Sequence, residues 1–453
     1  RSCIRVNEHH TDWFNIHNGV RQGDPLSPTL FSVYINDLIA AIEESNIGVK
    51  FQNNLINILV FADDVVLIAE NAADLQQLFA IVNDWTSKWR LTINNEKSAV
   101  LHFRNRNVAQ TQFQFNLQGS PVHVQSNYKY LGVILNEHND YRPSVKPLVI
   151  SAGRALGGII NKFKGFRNVG YVTYKKLYNS CVVPIMEYGS AIWGNYGTFP
   201  EIDHVQNRAL RYYLGVHRFT PLAAIRGDMA FESPEVGRNL VAARLWNKLL
   251  KLDDNRITKQ VFLHDYVVNG VFCNSIKNIC AKVDLQYCYN NKTVIDIKLL
   301  QEKLNANYVT AWKEQIELKP KLRLYKLIKS EYQVESYCKL YLSKFQRSLL
   351  AQLRAGVLPL HVETGRFSNT ALELRTCHLC NSGDIETELH FLFDCYMYNN
   401  ERQDLYSKIT NTDITNLTNV EKLLYLFNHQ LFIFASYVEN IFVKRRTALY
   451  NQV

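Results

Sequence analysis

The chain lacks any uninterrupted apolar run of the ~18–20 residues that a bilayer-crossing helix needs. Its most tempting late segment, residues 431–443, is shorter and is broken by Glu439 and Asn440. No membrane partner is therefore expected. There is no recognisable signal peptide, and the first residue is Arg1 rather than Met, so the natural start is expected further upstream. Nine cysteines, an odd number, argue against a disulfide framework and for a reducing intracellular compartment, nucleus and cytoplasm being left undistinguished. Internal repeats and low-complexity tracts are missing too. The most local absence is of acid: residues 141–186 contain no Asp or Glu, yet hold Arg142, Lys146, Arg154, Lys162, Lys164, Arg167, Lys175 and Lys176. So one-sided a segment is expected to face a polyanion, because phosphate contacts supply most sequence-independent affinity for nucleic acid. Tyr171, Tyr174 and Tyr178 recur among these lysines at helical spacing and read as core.

What is present bounds the rest. At 453 residues with 47% apolar content, the chain is long enough for two to four domains, and its formal charge is +10. Residues 58–69 read Ile-Leu-Val-Phe-Ala-Asp63-Asp64-Val-Val-Leu-Ile-Ala, two adjacent carboxylates inside an apolar run. Strand-forming residues on both sides predict a hairpin with the acids at its tip. Burying two like charges is costly without a cation, which points to a divalent metal site for phosphoryl or nucleotidyl transfer. Taken alone, the segment fits an ordinary Asp-Asp turn equally well.

The neighbouring motif is Gly19-Val-Arg21-Gln22-Gly23-Asp-Pro-Leu-Ser27-Pro28. Ser27 reads as an N-cap and Pro28 as the first helical residue, and Leu30, Phe31, Tyr34, Ile35, Leu38 and Ile42 follow at helical spacing. Leu75, Leu78, Phe79, Val82, Trp85 and Trp89 form a second helical face, followed by the turn Asn94–Ser98 and an alternating strand Ala99–Phe103. Together these segments resemble the palm of a reverse transcriptase, closest to the jockey type of non-LTR retrotransposons. The resemblance implies an RNA-directed DNA polymerase with RNA template, DNA primer or target, and dNTPs as partners. It makes Asp63 and Asp64 ligands of Mg²⁺ and Lys97 a catalytic residue at the leaving pyrophosphate. Arg21, Gln22, Gly23, Phe61 and Asn94 would line the template and nucleotide pocket. Tyr130, Leu131 and Gly132 would form the primer grip, a short strand with a glycine where backbone approaches closely. The basic stretch falls where the family has its thumb, and Lys162, Lys164, Lys175 and Lys176 are the expected nucleic-acid contacts.

Near the other end, Cys377, Cys380, His390 and Cys395 give the spacing C-x2-C-x9-H-x4-C. Such a set completes a tetrahedral Zn²⁺ shell, and four protein ligands make it structural. His378 is an alternative ligand. Text around it, Arg354-Ala-Gly356 and Glu386-Thr-Glu388-Leu-His390, resembles the zinc-binding segment that follows many such transcriptases.

The expected fold class is α+β. Residues 1–135 are a palm remainder, an antiparallel sheet with packing helices; 136–236 a helical basic thumb; 237–370 a helical connector; and 371–453 a CCHC zinc module with a helical tail. Ser233-Pro234 and the Asn- and Cys-rich stretch 273–292 read as boundaries or loops, with Cys273, Cys280 and Cys288 as ordinary thiols. Lys319, Lys321, Arg323, Lys326 and Lys329 form a second basic run that fits nucleic acid or a solvated face. The fingers and the first palm strand, with its third catalytic carboxylate, are not found before residue 19, where Glu8 and Asp12 lie in the wrong context. The chain alone is thus expected to be inactive, with an endonuclease upstream in the intact protein. The alternative expectation is a degenerate remnant that only binds nucleic acid.

Overall fold

A computed structural model describes residues 1–16, 19–21, 23–166, 169–380, 382–409 and 414–451. The chain separates into two compact units, Arg1–Asp140 and Tyr141–Val453.

In the first unit, strands β1 (Arg5–Val6) and β2 (His9–His10) form a small exposed ribbon. Helix α1 spans Ser27–Glu44. Ser27 is not its cap: Leu26 takes that place, the Ser27 hydroxyl donates to the Arg21 carbonyl at 2.6 Å, and Asp24 Oδ1 accepts the Leu26 N–H at 2.9 Å. The helix start thus has no side-chain cap, and Pro28 falls in the first turn, where its missing N–H costs nothing. Strands β3 (Val49–Phe51), β4 (Asn54–Ile56), β5 (Ile58–Phe61) and β6 (Asp64–Leu67) lead into helix α2, Ala72–Lys88. Then come β7 (Val100–Leu101), β8 (Phe115–Leu117), β9 (Ser120–Val122), β10 (Val124–Gln125), β11 (Asn127–Tyr130) and β12 (Val133–Asn136).

Among the described residues these strands make six two-stranded pairings rather than one palm sheet, and the β7–β10 pair is parallel. Only Val100 and Leu101 of the expected strand 99–103 join a ladder. The primer-grip segment is likewise not a single strand but the β11–β12 hairpin with Leu131-Gly132 as its turn. The core is supplied by Ile35, Leu38 and Ile42 of α1, Leu78, Phe79, Val82 and Trp85 of α2, and Val100, Phe115, Leu117 and Val122. Each such side chain contributes about 1.5–3 kcal/mol on burial, so the two amphipathic helices hold the short strands in place.

The second unit is helical. Helices α3 (Arg142–Phe163) and α4 (Tyr171–Cys181) open it, and the Tyr171, Tyr174 and Tyr178 rings are buried as the spacing required. Residues 273–292 are not a loop: helices Val271–Ala281 and Gln286–Asn290 occupy them. Cys273, Ile276, Ile279 and Cys280 share a buried face, and a reduced cysteine packs as a small hydrophobe. Ser233 caps Pro234–Leu250 through the Glu235 N–H. At the centre, fully buried Arg354 grips Asp228 through two hydrogen bonds of 3.0 Å, and the same carboxylate accepts the Tyr337 hydroxyl at 2.6 Å.

Candidate active site and metal centre

The Asp63-Asp64 hairpin is tight. Phe61 pairs with Asp64, which leaves Ala62 and Asp63 as the two turn residues. Ala62 sits at φ +54°, a region that an L-residue with a Cβ visits sparingly, at a cost of about 1 kcal/mol. Both carboxylates are exposed. The expectation that they are buried is therefore corrected: the apolar run is a two-sided ribbon, with Ile58, Val60 and Leu67 against the core while Leu59 and Phe61 face outward, Phe61 at 61% exposure. Solvated acids need no cation to exist, but an open tip lets a cation reach them. Among the described residues, no further acid, Cys or His stands close enough to complete a three-ligand group with them.

Two other expected site segments are bonded to each other. Asn94 caps a short 3-10 turn, Asn95–Lys97, by accepting the Lys97 N–H at 3.2 Å, and Lys97 itself is exposed. On β11, the Tyr128 hydroxyl donates to the Lys97 carbonyl at 2.7 Å. Two residues on, burial raises the Tyr130 phenol above its ordinary pKa, and the nearby Asp64 carboxylate adds to the rise. Leu131 (φ +45°) and Gly132 (φ +82°) are both left-handed, the pair of conformations a type I′ hairpin turn demands. Gly23 is left-handed as well, at φ +84°, with open space where a Cβ would stand. Arg21 is exposed, and Gln22 lies outside the described residues.

Helical spacing alone does not show how α2 is fixed to α1. Asp37 of α1 accepts the indole N–H groups of Trp85 (2.6 Å) and Trp89 (2.9 Å), locking α2 against α1. Desolvation pushes its carboxyl up, but the two indole donors outweigh it and hold the pKa below the usual range.

In the second unit, Cys377, Cys380, His390 and Cys395 are all buried, and their donor atoms lie within 4.8 Å of one another. Thr376 and Ile385 form an antiparallel bridge and the Cys377 N–H donates to the Asp384 carbonyl, closing the loop that carries the first two thiols. His390 opens a π-helical turn, His390–Asp394, and the Cys395 N–H donates back to the His390 carbonyl at 2.8 Å. That wide turn returns the last thiol beneath the imidazole. Zn–S bonds of ~2.3 Å and Zn–N bonds of ~2.0–2.1 Å in a tetrahedron separate donors by about 3.5–3.8 Å. Cys377 and Cys395 are 4.0 Å apart and Cys380 lies 3.3 Å from His390 Nε2, so the donor set fits such an ion. Contact with Cys395, helped by His390 and Cys380, draws the Cys377 thiol down to about 3 against its burial, while the same contact pushes Cys395 up. Contact with Cys377 lifts His390 to about 9. Three thiols and an imidazole converging at these distances are a donor set for a cation once deprotonated. His378 is exposed and its ring lies tilted against that of His361, centres 4.1 Å apart, outside the cluster.

Ion pairs brace the cluster from outside. Buried Glu386 takes a two-pronged contact from Arg445 (2.7 and 2.8 Å) and the His361 N–H at 2.5 Å. Glu388 takes another from Arg323 (3.1 and 2.5 Å), and Arg402 donates to the Cys395 carbonyl at 2.6 Å. Lys321 pairs with Glu363, Lys326 with Glu317, and Lys329 with Glu335. Lys321, Arg323 and Lys329 thus each pair with a carboxylate across partly or fully buried contacts, while the Lys326 pair stays at the surface.

The α3–α4 basic stretch is more open. Lys162, Lys164 and Lys176 are exposed. Lys175 is not equivalent to them: its ammonium lies 5.8 Å from the Tyr171 ring centre and 5.5 Å from that of Phe231, and burial lowers its pKa. It lines a cavity of about 620 Å³ with Tyr178, Glu187 and Arg238. Arg167 lies outside the described residues.

Residues 1–135 match the family model described as "Reverse transcriptase (RNA-dependent DNA polymerase)". Similar proteins include the "Retrovirus-related Pol polyprotein from type-1 retrotransposable element R2" of Popillia japonica, 27% identical over 222 residues, which are 46% of this chain and 34% of that protein. The "RNA-directed DNA polymerase from mobile element jockey" of Drosophila funebris is 28% identical over 186 residues, 40% of this chain and 20% of the relative. A third, from the type-2 retrotransposable element R2DM of Drosophila melanogaster, is 43% identical over 79 residues, 17% of this chain and 7% of the relative. The chain spans about a third or less of the length of these proteins. The acidic hairpin lies inside the matched region, so residues 1–135 carry a reverse transcriptase domain, and the chain resembles the RNA-directed DNA polymerases of non-LTR retrotransposons.

Proposed function

We propose that this chain supplies the metal hairpin, the nucleotide-side loop, the thumb and a structural zinc cluster to an RNA-directed DNA polymerase that works on an RNA template, a DNA primer or target, and dNTPs. The observation that carries this reading is the exposed Asp63-Asp64 pair where a two-residue turn enters β6, within the matched region. Magnesium is characteristically held by one or two carboxylates with the rest of its shell left to water and substrate phosphates, and an open tip with two acids suits that. When bound, the ion would neutralise phosphate charge and polarise the attacking hydroxyl. Asp63, at the apex, is the main ligand and Asp64 the second. Lys97 offers a positive group to the leaving pyrophosphate, and Asn94 fixes the turn that carries it. Arg21, Gly23 and Phe61 line the template and nucleotide side, with Tyr130 to Gly132 toward the primer. Cys377, Cys380, His390 and Cys395 would hold Zn²⁺ with no open position, so its part is to order residues 371–400.

The test is RNA-templated primer extension in a competent polymerase that includes these 453 residues. Asp63→Asn removes extension while leaving RNA affinity and melting temperature nearly intact, and Asp64→Asn is milder. Extension by the Asp63→Asn protein at more than about a tenth of the unaltered rate, a loss of less than ~1.4 kcal/mol of transition-state stabilisation, refutes the ligand assignment.

A further inference from the structure

Resting on the reading of Lys97 as the group that meets the departing phosphates, the structure adds a residue that the motif alone does not reveal. The Lys97 backbone is restrained on both sides. Its N–H is accepted by the Asn94 side chain at 3.2 Å, and its C=O accepts the Tyr128 hydroxyl at 2.7 Å. Asn94 lies in the same turn as Lys97, so it only shapes that turn. Tyr128 lies on β11, paired with Leu135 in a regular ladder, so its hydroxyl ties the turn to a separate, rigid element. Side chains two residues apart on a strand share a face. Tyr130 is therefore on the same side of β11 as Tyr128. Among the described residues no ion pair engages the Lys97 ammonium, so the placement of that charge falls to its backbone.

We infer that Tyr128 is a positioning residue for Lys97, its hydroxyl holding the Lys97 carbonyl so that the turn carrying the ammonium is ordered before nucleotide binds. A 3-10 turn three residues long has weak internal bonds. Released from Tyr128, it samples several arrangements and must be ordered by the ligand, which weakens binding without altering any contact in the bound state.

The experiment is a double-mutant cycle on the chain itself, read by titration with Mg²⁺ and dTTP, with hydrogen exchange of residues 94–98 alongside. Tyr128→Phe deletes only the hydroxyl. It is expected to weaken dTTP binding about 2- to 10-fold, the span of one neutral hydrogen bond, and to speed exchange in 94–98 while the α1–α2 core keeps its protection. Lys97→Ala is expected to weaken binding about 10-fold or more, as for a charge-assisted contact. In the Lys97→Ala background, Tyr128→Phe is expected to have no further effect, which a general loss of fold would not mimic. Equal losses from Tyr128→Phe in both backgrounds, or no loss where Lys97→Ala gives one, overturn the positioning role and leave the Lys97 assignment standing. Unchanged binding in Lys97→Ala, or no binding of Mg²⁺ and dTTP by the unaltered chain, overturns the Lys97 assignment and this inference with it.

Discussion

The two candidate metal sites of this chain are built on opposite principles. Asp63 and Asp64 stand in water at the apex of a hairpin, two donors with nothing buried around them. Cys377, Cys380, His390 and Cys395 are buried, four donors converging from a bridged loop and a π-turn, with ion pairs behind them. An open two-donor site leaves coordination positions to substrate and contributes little to folding. A closed four-donor site leaves none, and the energy of binding becomes folding energy. The protein therefore separates the metal that would take part in chemistry from the metal that would hold shape.

The most severe way to break that contrast is Cys380→Ser. The altered chain, purified reduced, should hold clearly less than one zinc, and amides in 371–400 should lose protection, because structural zinc contributes on the order of 10 kcal/mol in small modules. Full zinc occupancy with normal protection would demote the cluster to packed thiols. A smaller loss should follow Arg445→Met. It strands Glu386 as an uncompensated buried charge, and chemical denaturation should report about 3–5 kcal/mol of destabilisation. Adding Glu386→Gln should recover part of it, and failure to recover any would mean that the pair packs rather than pairs.

In the first unit the analogous brace is exposed, so its effect should be weaker and dependent on pH. Asp37 has a folded pKa held below its unfolded value, so its contribution is present above the ordinary carboxylate range and fades as pH falls through it. Thermal melts between pH 6 and pH 3, an interval spanning the ~3.9 of a free Asp, should show Asp37→Asn converging on the unaltered chain at the acid end. A constant gap at all pH values would remove the indole contacts as the cause. The last prediction leaves the fold untouched. Neutralising Lys162, Lys164, Lys175 and Lys176 should reduce affinity for any duplex alike, and the salt slope should drop by about 0.9 for each lost phosphate contact. Because Lys175 is turned onto aromatic rings, restoring it should return almost none of that slope; a full share regained would place its ammonium on phosphate.

Much of this contrast was legible in the residues. Strand-forming residues on both sides of Asp63-Asp64 foretold the hairpin, and the C-x2-C-x9-H-x4-C spacing foretold the cluster, because both are local patterns. Helical spacing likewise identified Tyr171, Tyr174 and Tyr178 as core. What was not legible depends on partners distant in sequence. Lys321 and Arg323 read as a basic surface until Glu363 and Glu388 meet them. Lys175 read like its neighbours until Phe231 covered it. The apolar run around Asp63 implied burial, yet its ribbon has an outer face that sequence alone does not assign. Cysteines among asparagines suggested a loop at 273–292, whereas their i, i+3, i+7 positions carry a buried helix face.

The separation of the two sites is tested most directly by hydrogen exchange of the reduced chain before and after exhaustive treatment with a chelator that removes both Mg²⁺ and Zn²⁺. The account predicts that protection falls across 371–400 and stays unchanged in β5, β6 and the α1–α2 core. Loss of protection in the Asp63-Asp64 hairpin, or none around Cys377 to Cys395, would contradict it.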